Sequence, residues 1–148
     1  MRSRRWRWPI YTLAGIVFGV INYLVGGVLG GAVSRPPSLI FWILMVIIWV
    51  APSLVVAIAE TRVSHSTVRA TLAGALVWLV AVVGYYMYYA LTVMFDPSVD
   101  NPGWIGIGTG GIVDNIAQWG IPAIICGAIV GFATATVSRV VSRKNLSR

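Results

Sequence analysis

The sequence predicts an all-α membrane protein, a four-helix transmembrane bundle with both termini cytoplasmic, and three observations carry that expectation. Of 148 residues, 58% are apolar and only 10% charged, where an ordinary soluble domain has roughly 45–50% and about 25%. Mean hydropathy is +0.85, and the apolar residues gather into four stretches, each near or above the roughly 20 residues that cross a hydrocarbon core. The basic residues then fall beside alternate ends of those stretches. A soluble globule is excluded. No polar connection is long enough for a separate soluble domain of about 50 residues or more, so residues 1–148 are expected to form a single transmembrane domain.

The first span is expected at about 9–33, the second at 38–59, the third at 70–95 and the fourth at 115–138. Ser34-Arg35-Pro36-Pro37 reads as a tight turn, because proline donates no backbone hydrogen bond and disfavours helix before it. Spans one and two are therefore expected to form a close antiparallel hairpin. Ser64, Ser66 and Thr67 form a capping pattern where the third helix should begin. Ten of the eleven basic residues lie on one side of this arrangement and only Arg35 on the other. Lys and Arg beside span ends are retained in the cytoplasm, so the expected location is the cell (inner) membrane, multi-pass, with N- and C-termini inside.

The +7 net charge invites a nucleic-acid reading, and Arg5-Trp6-Arg7-Trp8 has the look of a basic, aromatic binding segment. Interfacial anchoring explains it better: guanidinium groups meet anionic headgroups while indoles sit at the boundary. A signal peptide is also disfavoured, since its apolar stretch is usually only about 7–15 residues. The partners expected are the lipid bilayer and either another membrane protein or further copies of this chain, with no nucleic acid.

In lipid, helices associate where small residues let backbones approach. Span one carries Gly15, Gly19, Asn22, Gly26 and Gly30 on one face, and span four carries Gly120, Gly127 and Gly131, with a Gly-xxx-Gly at 127 and 131. These glycines are expected to be helix-packing positions, with spans one and four packed together or one of them at a subunit interface. Along span three, Trp78, Tyr85, Tyr89, Thr92 and Asp96 recur at helical spacing. Together with Asn22 and Asp114 they are candidate ligand-facing groups: ring faces suit cations and apolar ligands, while hydroxyls and the amide supply hydrogen bonds. Asp114 has a simpler reading as a helix N-terminal acid. Pro52 and Pro122 lie inside spans two and four, where each removes a helical hydrogen bond.

Glu60 is the acid nearest to membrane depth, and Arg62 and Arg69 are its expected partners at the boundary. Cys126 reads as a small packing residue and His65 as a loop residue, so no metal site or cofactor is expected. The segment 96–114 is expected to be external. Its part from Trp104 to Val113 is too apolar for a free loop and too glycine-rich for a span, and is read as lying in the interface or re-entering between helices. No His–carboxylate pairing is available, since His65 and the aspartates fall on opposite sides of a roughly 30 Å core; Asp114 with Asp96 or Asp100 could form an external carboxylate pair, but no recognisable motif surrounds them. The expectation is thus a non-enzymatic integral protein, acting as a subunit or accessory of a larger membrane assembly. The alternative is a small-solute transporter or channel unit that works as a homo-oligomer with an external tyrosine-rich vestibule.

Overall fold

A computed structural model describes residues 6–31, 39–95 and 111–146; within them, the side chains of 27–31, 40–42, 44–45 and 142–146 are not described. The described residues form four helices and no strand: α1 (Arg7–Gly31), α2 (Leu39–Ser64), α3 (Thr67–Phe95) and α4 (Gly111–Leu146). Each contains a stretch long and apolar enough to cross a membrane, namely Arg7–Gly26, Val46–Ser64, Thr67–Phe95 and Gly111–Val141. The expected order and number of helices hold. The helices run longer than the apolar stretches, because the backbone keeps its internal hydrogen bonding beyond the point where the side chains turn polar. Thus α2 continues through Glu60 to Ser64, and α4 begins at Gly111 and reaches Leu146. Residues 111–113 of the expected external segment are therefore the first turn of α4, and 96–110 lie outside the described residues.

Only two residues connect α2 to α3. His65 takes a left-handed conformation, φ 51°, which terminates α2, and its N–H closes back on the Thr61 carbonyl at 3.0 Å. The Ser66 hydroxyl then accepts the Arg69 N–H at 3.3 Å, an N-cap that starts α3 within one residue of the reversal. α2 and α4 run through their internal prolines, Pro52 and Pro122.

α3 is the central helix, packed against all three others. Small residues make this possible. On one side, a Cβ built on Gly15 would lie 3.0 Å from the Val77 carbonyl oxygen, and one on Gly19 would collide with the Ala81 backbone. The face of α1 at Tyr11, Gly15, Gly19 and Tyr23 thus lies on α3, the two helices running parallel. On the other side, a Cβ on Gly127 would stand 2.5 Å from the Gly74 carbonyl oxygen, and one on Gly131 2.7 Å from that of Ala70. α4 crosses α3 antiparallel there. α2 joins the same level through Ser53, whose hydroxyl donates to the Gly74 carbonyl at 3.2 Å. Three helices therefore meet at residue 74.

Two expectations are corrected by this packing. The glycine faces of α1 and α4 do not pack on each other; each is filled by α3. Spans one and two do not make a close hairpin either, since α1 rests chiefly on α3 and much less on α2. The cause is shared: α3 carries small residues on both sides, with Ala81 and Gly84 towards α1 and Ala70 and Gly74 towards α4, and so offers a closer approach than the bulkier α2. Gly120 makes a looser contact, 3.4 Å from its built Cβ to the end of Leu79. Gly26 is buried, while the surroundings of Gly30 lie outside the described residues. Cys126 is exposed on α4 beside Ile125 and Ile129, so it belongs to the outward, lipid-compatible face and not to the packing face.

Candidate functional site

The polar and aromatic side chains inside the bundle separate into two groups, one at each end of α3. The first is at the basic end, where α1 starts and α2 finishes. Glu60 is 2% exposed, and its Oε2 accepts a hydrogen bond from Arg7 Nη1 at 2.8 Å and another from the Tyr11 hydroxyl at 2.9 Å. Arg7 is itself largely covered, 15% exposed, and its Nε is buried with no partner. The expected partners Arg62 and Arg69 are both exposed. Their place is taken by an arginine 53 residues away in sequence, because the inward side of α2 at Glu60 faces the first turn of α1. Tyr11 is held by an edge-on contact with Trp8, ring centroids 6.1 Å apart. Nearby, Arg139 of α4 donates to the His65 carbonyl, so the start of α1, the α2–α3 connection and the last third of α4 share one end of the bundle.

The second group occupies the other half. Tyr23 of α1 sits in a nest of α3 tyrosines, with ring centroids 5.4 Å from Tyr85, 5.2 Å from Tyr88 and 6.3 Å from Tyr89. Its hydroxyl shares a 3.0 Å hydrogen bond with Thr92, and Thr92 in turn donates to the Tyr89 carbonyl. Tyr86 stacks edge-on against Tyr85 at 5.2 Å and is buried in the cluster that includes Ala123 of α4. Trp78 pairs with Trp49 of α2, centroids 5.5 Å apart. Consecutive residues point to different sides of a helix, so the tyrosine run serves two interfaces at once: Tyr85, Tyr88 and Tyr89 face α1, and Tyr86 turns towards α4.

The candidate ligand-facing residues are thus only partly brought together. Tyr85 and Tyr89 meet at the α1 contact. Trp78 lies on the α2 side, and Asp114 is exposed in the first turn of α4, where the acid complements the positive end of the helix dipole. Asp96 lies outside the described residues. Asn22 is 1% exposed on the inward face of α1, and neither its amide nitrogen nor its amide oxygen has a hydrogen-bond partner. The Trp78 indole nitrogen and the Tyr86 hydroxyl are buried in the same state. No family model, curated protein or solved structure matches this chain.

Arg7, Tyr11, Tyr23 and Tyr86 are participants that the sequence reading did not single out. For three of them a signal was present. Tyr11 and Tyr23 continue the four-residue spacing of Gly15 and Gly19, and Arg7 stands one step earlier on the same ladder. Tyr86 carries no such mark, because every position beside it is also aromatic or apolar.

Proposed function

We propose that this chain is a non-enzymatic membrane protein that binds a small solute among its helices and serves as a transport or channel unit, with the tyrosine-rich half as its ligand-facing region. The observation that carries this reading is Asn22: a primary amide, fully enclosed, with two donors and an acceptor unused. A buried polar group without a partner costs roughly 1–3 kcal/mol, and lipid supplies no partner. A sequence that keeps an amide there gains from something that fills those bonds, and a small polar solute or a chain of waters leading to one does so. The unpartnered Trp78 nitrogen and Tyr86 hydroxyl add hydrogen-bonding capacity in the same half of the bundle.

In this reading the basic end faces the cytoplasm of a cell (inner) membrane, because Arg7, Arg62, Arg69 and Arg139 gather there and such residues are retained inside; the tyrosine-rich half then opens outward. With α3 filling the middle of the four helices, passage across the membrane runs between copies, which makes the working unit a homo-oligomer. The accessory-subunit reading drew its support from two unspent glycine faces and from the lack of a polar core; α3 occupies those faces at Gly15, Gly19, Gly127 and Gly131.

Native mass measurement on protein gently extracted from its own membrane separates the two. A homo-oligomer retaining a small molecule that Asn22→Leu or Tyr86→Phe releases is the expected result. A stoichiometric larger partner, with no small molecule retained, sinks the solute reading and restores the accessory one.

A further inference from the structure

We propose that Glu60 is a proton-binding site within the membrane domain, with Tyr11 as the group that stays with it in both protonation states and Arg7 as the counter-charge released on protonation. Glu60 lies in the membrane-crossing stretch of α2 and is almost completely enclosed; among the described residues the other acid, Asp114, is exposed. An ionisable side chain at such a place is costly and marks ion or proton handling by default.

The way the carboxylate is paired separates this site from a purely structural salt bridge. Arginine and carboxylate frequently engage as a two-pronged pair, two nitrogens with two oxygens. Here a single guanidinium nitrogen, Nη1, reaches a single oxygen, Oε2, and the Tyr11 hydroxyl shares that same oxygen. Arg7 Nε, which a side-on pair would use together with Nη2, is buried and has no partner. The pair is thus held by fewer bonds than its chemistry allows.

Both states of the site have a place for every group. With Glu60 ionised, Tyr11 and Arg7 both donate to it. When a proton binds to the carboxylate, the neutral acid keeps its bond to Tyr11, because a phenol hydroxyl donates or accepts equally well. The guanidinium stays cationic and loses its counter-charge, so the site gains one positive charge. Arg7 is the first residue of α1, flanked by the exposed Trp6 and Trp8, and from there a long side chain reaches the headgroup layer by snorkelling. α1 keeps its glycine contact with α3, so only its tie to α2 is undone.

Among the described residues, the other charged groups at this end stand aside. Arg62 on α2 and Arg69 on α3 are exposed, as is His65 in the connection, and Arg139 of α4 is engaged with the His65 carbonyl. His65 is an exposed titratable side chain at this end and has to be controlled. The proposal is independent of whether the tyrosine-rich half takes a solute.

Glu60 is the only glutamate in the chain, so full-length protein in lipid nanodiscs, labelled with carbon-13 at the glutamate side-chain carboxyl, reports this group alone without any mutation. As pH is lowered from neutral to about 4, the range in which carboxyls titrate, the labelled resonance is expected to move to the position of a protonated acid. His65→Asn, which suits the left-handed backbone there, leaves that transition in place. Arg7→Gln, which removes the counter-charge, and Tyr11→Phe, which removes the second donor, each move that transition. A resonance that stays at the carboxylate position over the whole range in which the helices remain folded overturns the proposal. So does a transition that Arg7→Gln leaves unmoved.

Discussion

Replacing Gly127 by alanine tests the central place of α3 most directly. The added methyl would stand 2.5 Å from the Gly74 carbonyl oxygen and 3.0 Å from the Ala75 Cα. Both are backbone atoms that no rotamer change can move, and the first falls about 0.9 Å short of the 3.4 Å at which ordinary contact begins. α4 therefore has to back away from α3 by most of that distance. A gap of about 0.5–1 Å forfeits a quarter to a half of each dispersion contact along the seam, and overpacking of this kind typically costs about 1–3 kcal/mol. Alanine also favours helix over glycine by up to about 1 kcal/mol, which pulls the other way. Gly120→Ala on the same helix supplies the control. Its methyl meets only the end of Leu79 at 3.4 Å, while the propensity gain is the same. The two variants are expected to differ by about 2 kcal/mol, or roughly 30-fold in the unfolding equilibrium, with Gly127→Ala the weaker. Denaturant titration of the detergent-solubilised protein, followed by helical circular dichroism, reads the difference as a shift in midpoint at constant slope. If the two variants unfold within about 0.5 kcal/mol of each other, the close α3–α4 crossing is wrong.

Three further outcomes are expected from the same titration. Removing one member of the Arg7–Glu60 pair, as in Arg7→Gln, destabilises by about 3 kcal/mol because it strands a buried charge, and Arg7→Met combined with Glu60→Leu recovers most of the loss; a double variant as weak as the single would contradict the buried pair. Tyr23→Phe loses its hydroxyl bond to Thr92 and costs about 1 kcal/mol, and the same substitution made in a Thr92→Val background is expected to cost close to nothing more. Asn22→Leu removes an unpartnered amide and is expected to raise stability by about 1–3 kcal/mol while releasing bound solute. Lower stability in that variant, with no solute in the parent protein, would make Asn22 a satisfied structural residue.

The number of helices and their order could be read from the sequence, because crossing a hydrocarbon core demands a length and composition that leave a plain mark. The partner of each helix could not. A row such as Gly15 and Gly19 says that some backbone comes close and nothing about whose. In water the inward side of a helix is the apolar one, but against lipid both sides are apolar, so Cys126 and Ala123, three residues apart on α4, look alike in sequence although the first is exposed and the second buried. Glu60 illustrates the same limit. Its need for a partner was evident, and nearby Arg62 and Arg69 were the available choice, but which arginine answers is decided by how α1 lies across α2. Of the candidate ligand-facing residues, the sequence pattern joined Trp78 to Tyr85 and Tyr89 as one stripe, and they do share one side of α3, since seven residues drift by only about 20°; at one level that side meets Trp49 of α2 and at the other Tyr23 of α1.

The central position of α3 bears on how the chain is made. Helices enter the membrane in order, and when only the first two have arrived, the glycine row of α1 has no backbone to meet. What joins them at that stage is the Arg7–Tyr11–Glu60 contact at one end. The third helix brings the small residues that α1 has been lacking, and it also brings Ala70 and Gly74 for a fourth that has yet to emerge. Assembly is therefore a matter of waiting for one segment: a nascent chain cut before Thr67 is a pair of loosely tethered helices exposed to quality control, and one cut after Phe95 already has the seam on which the rest is built.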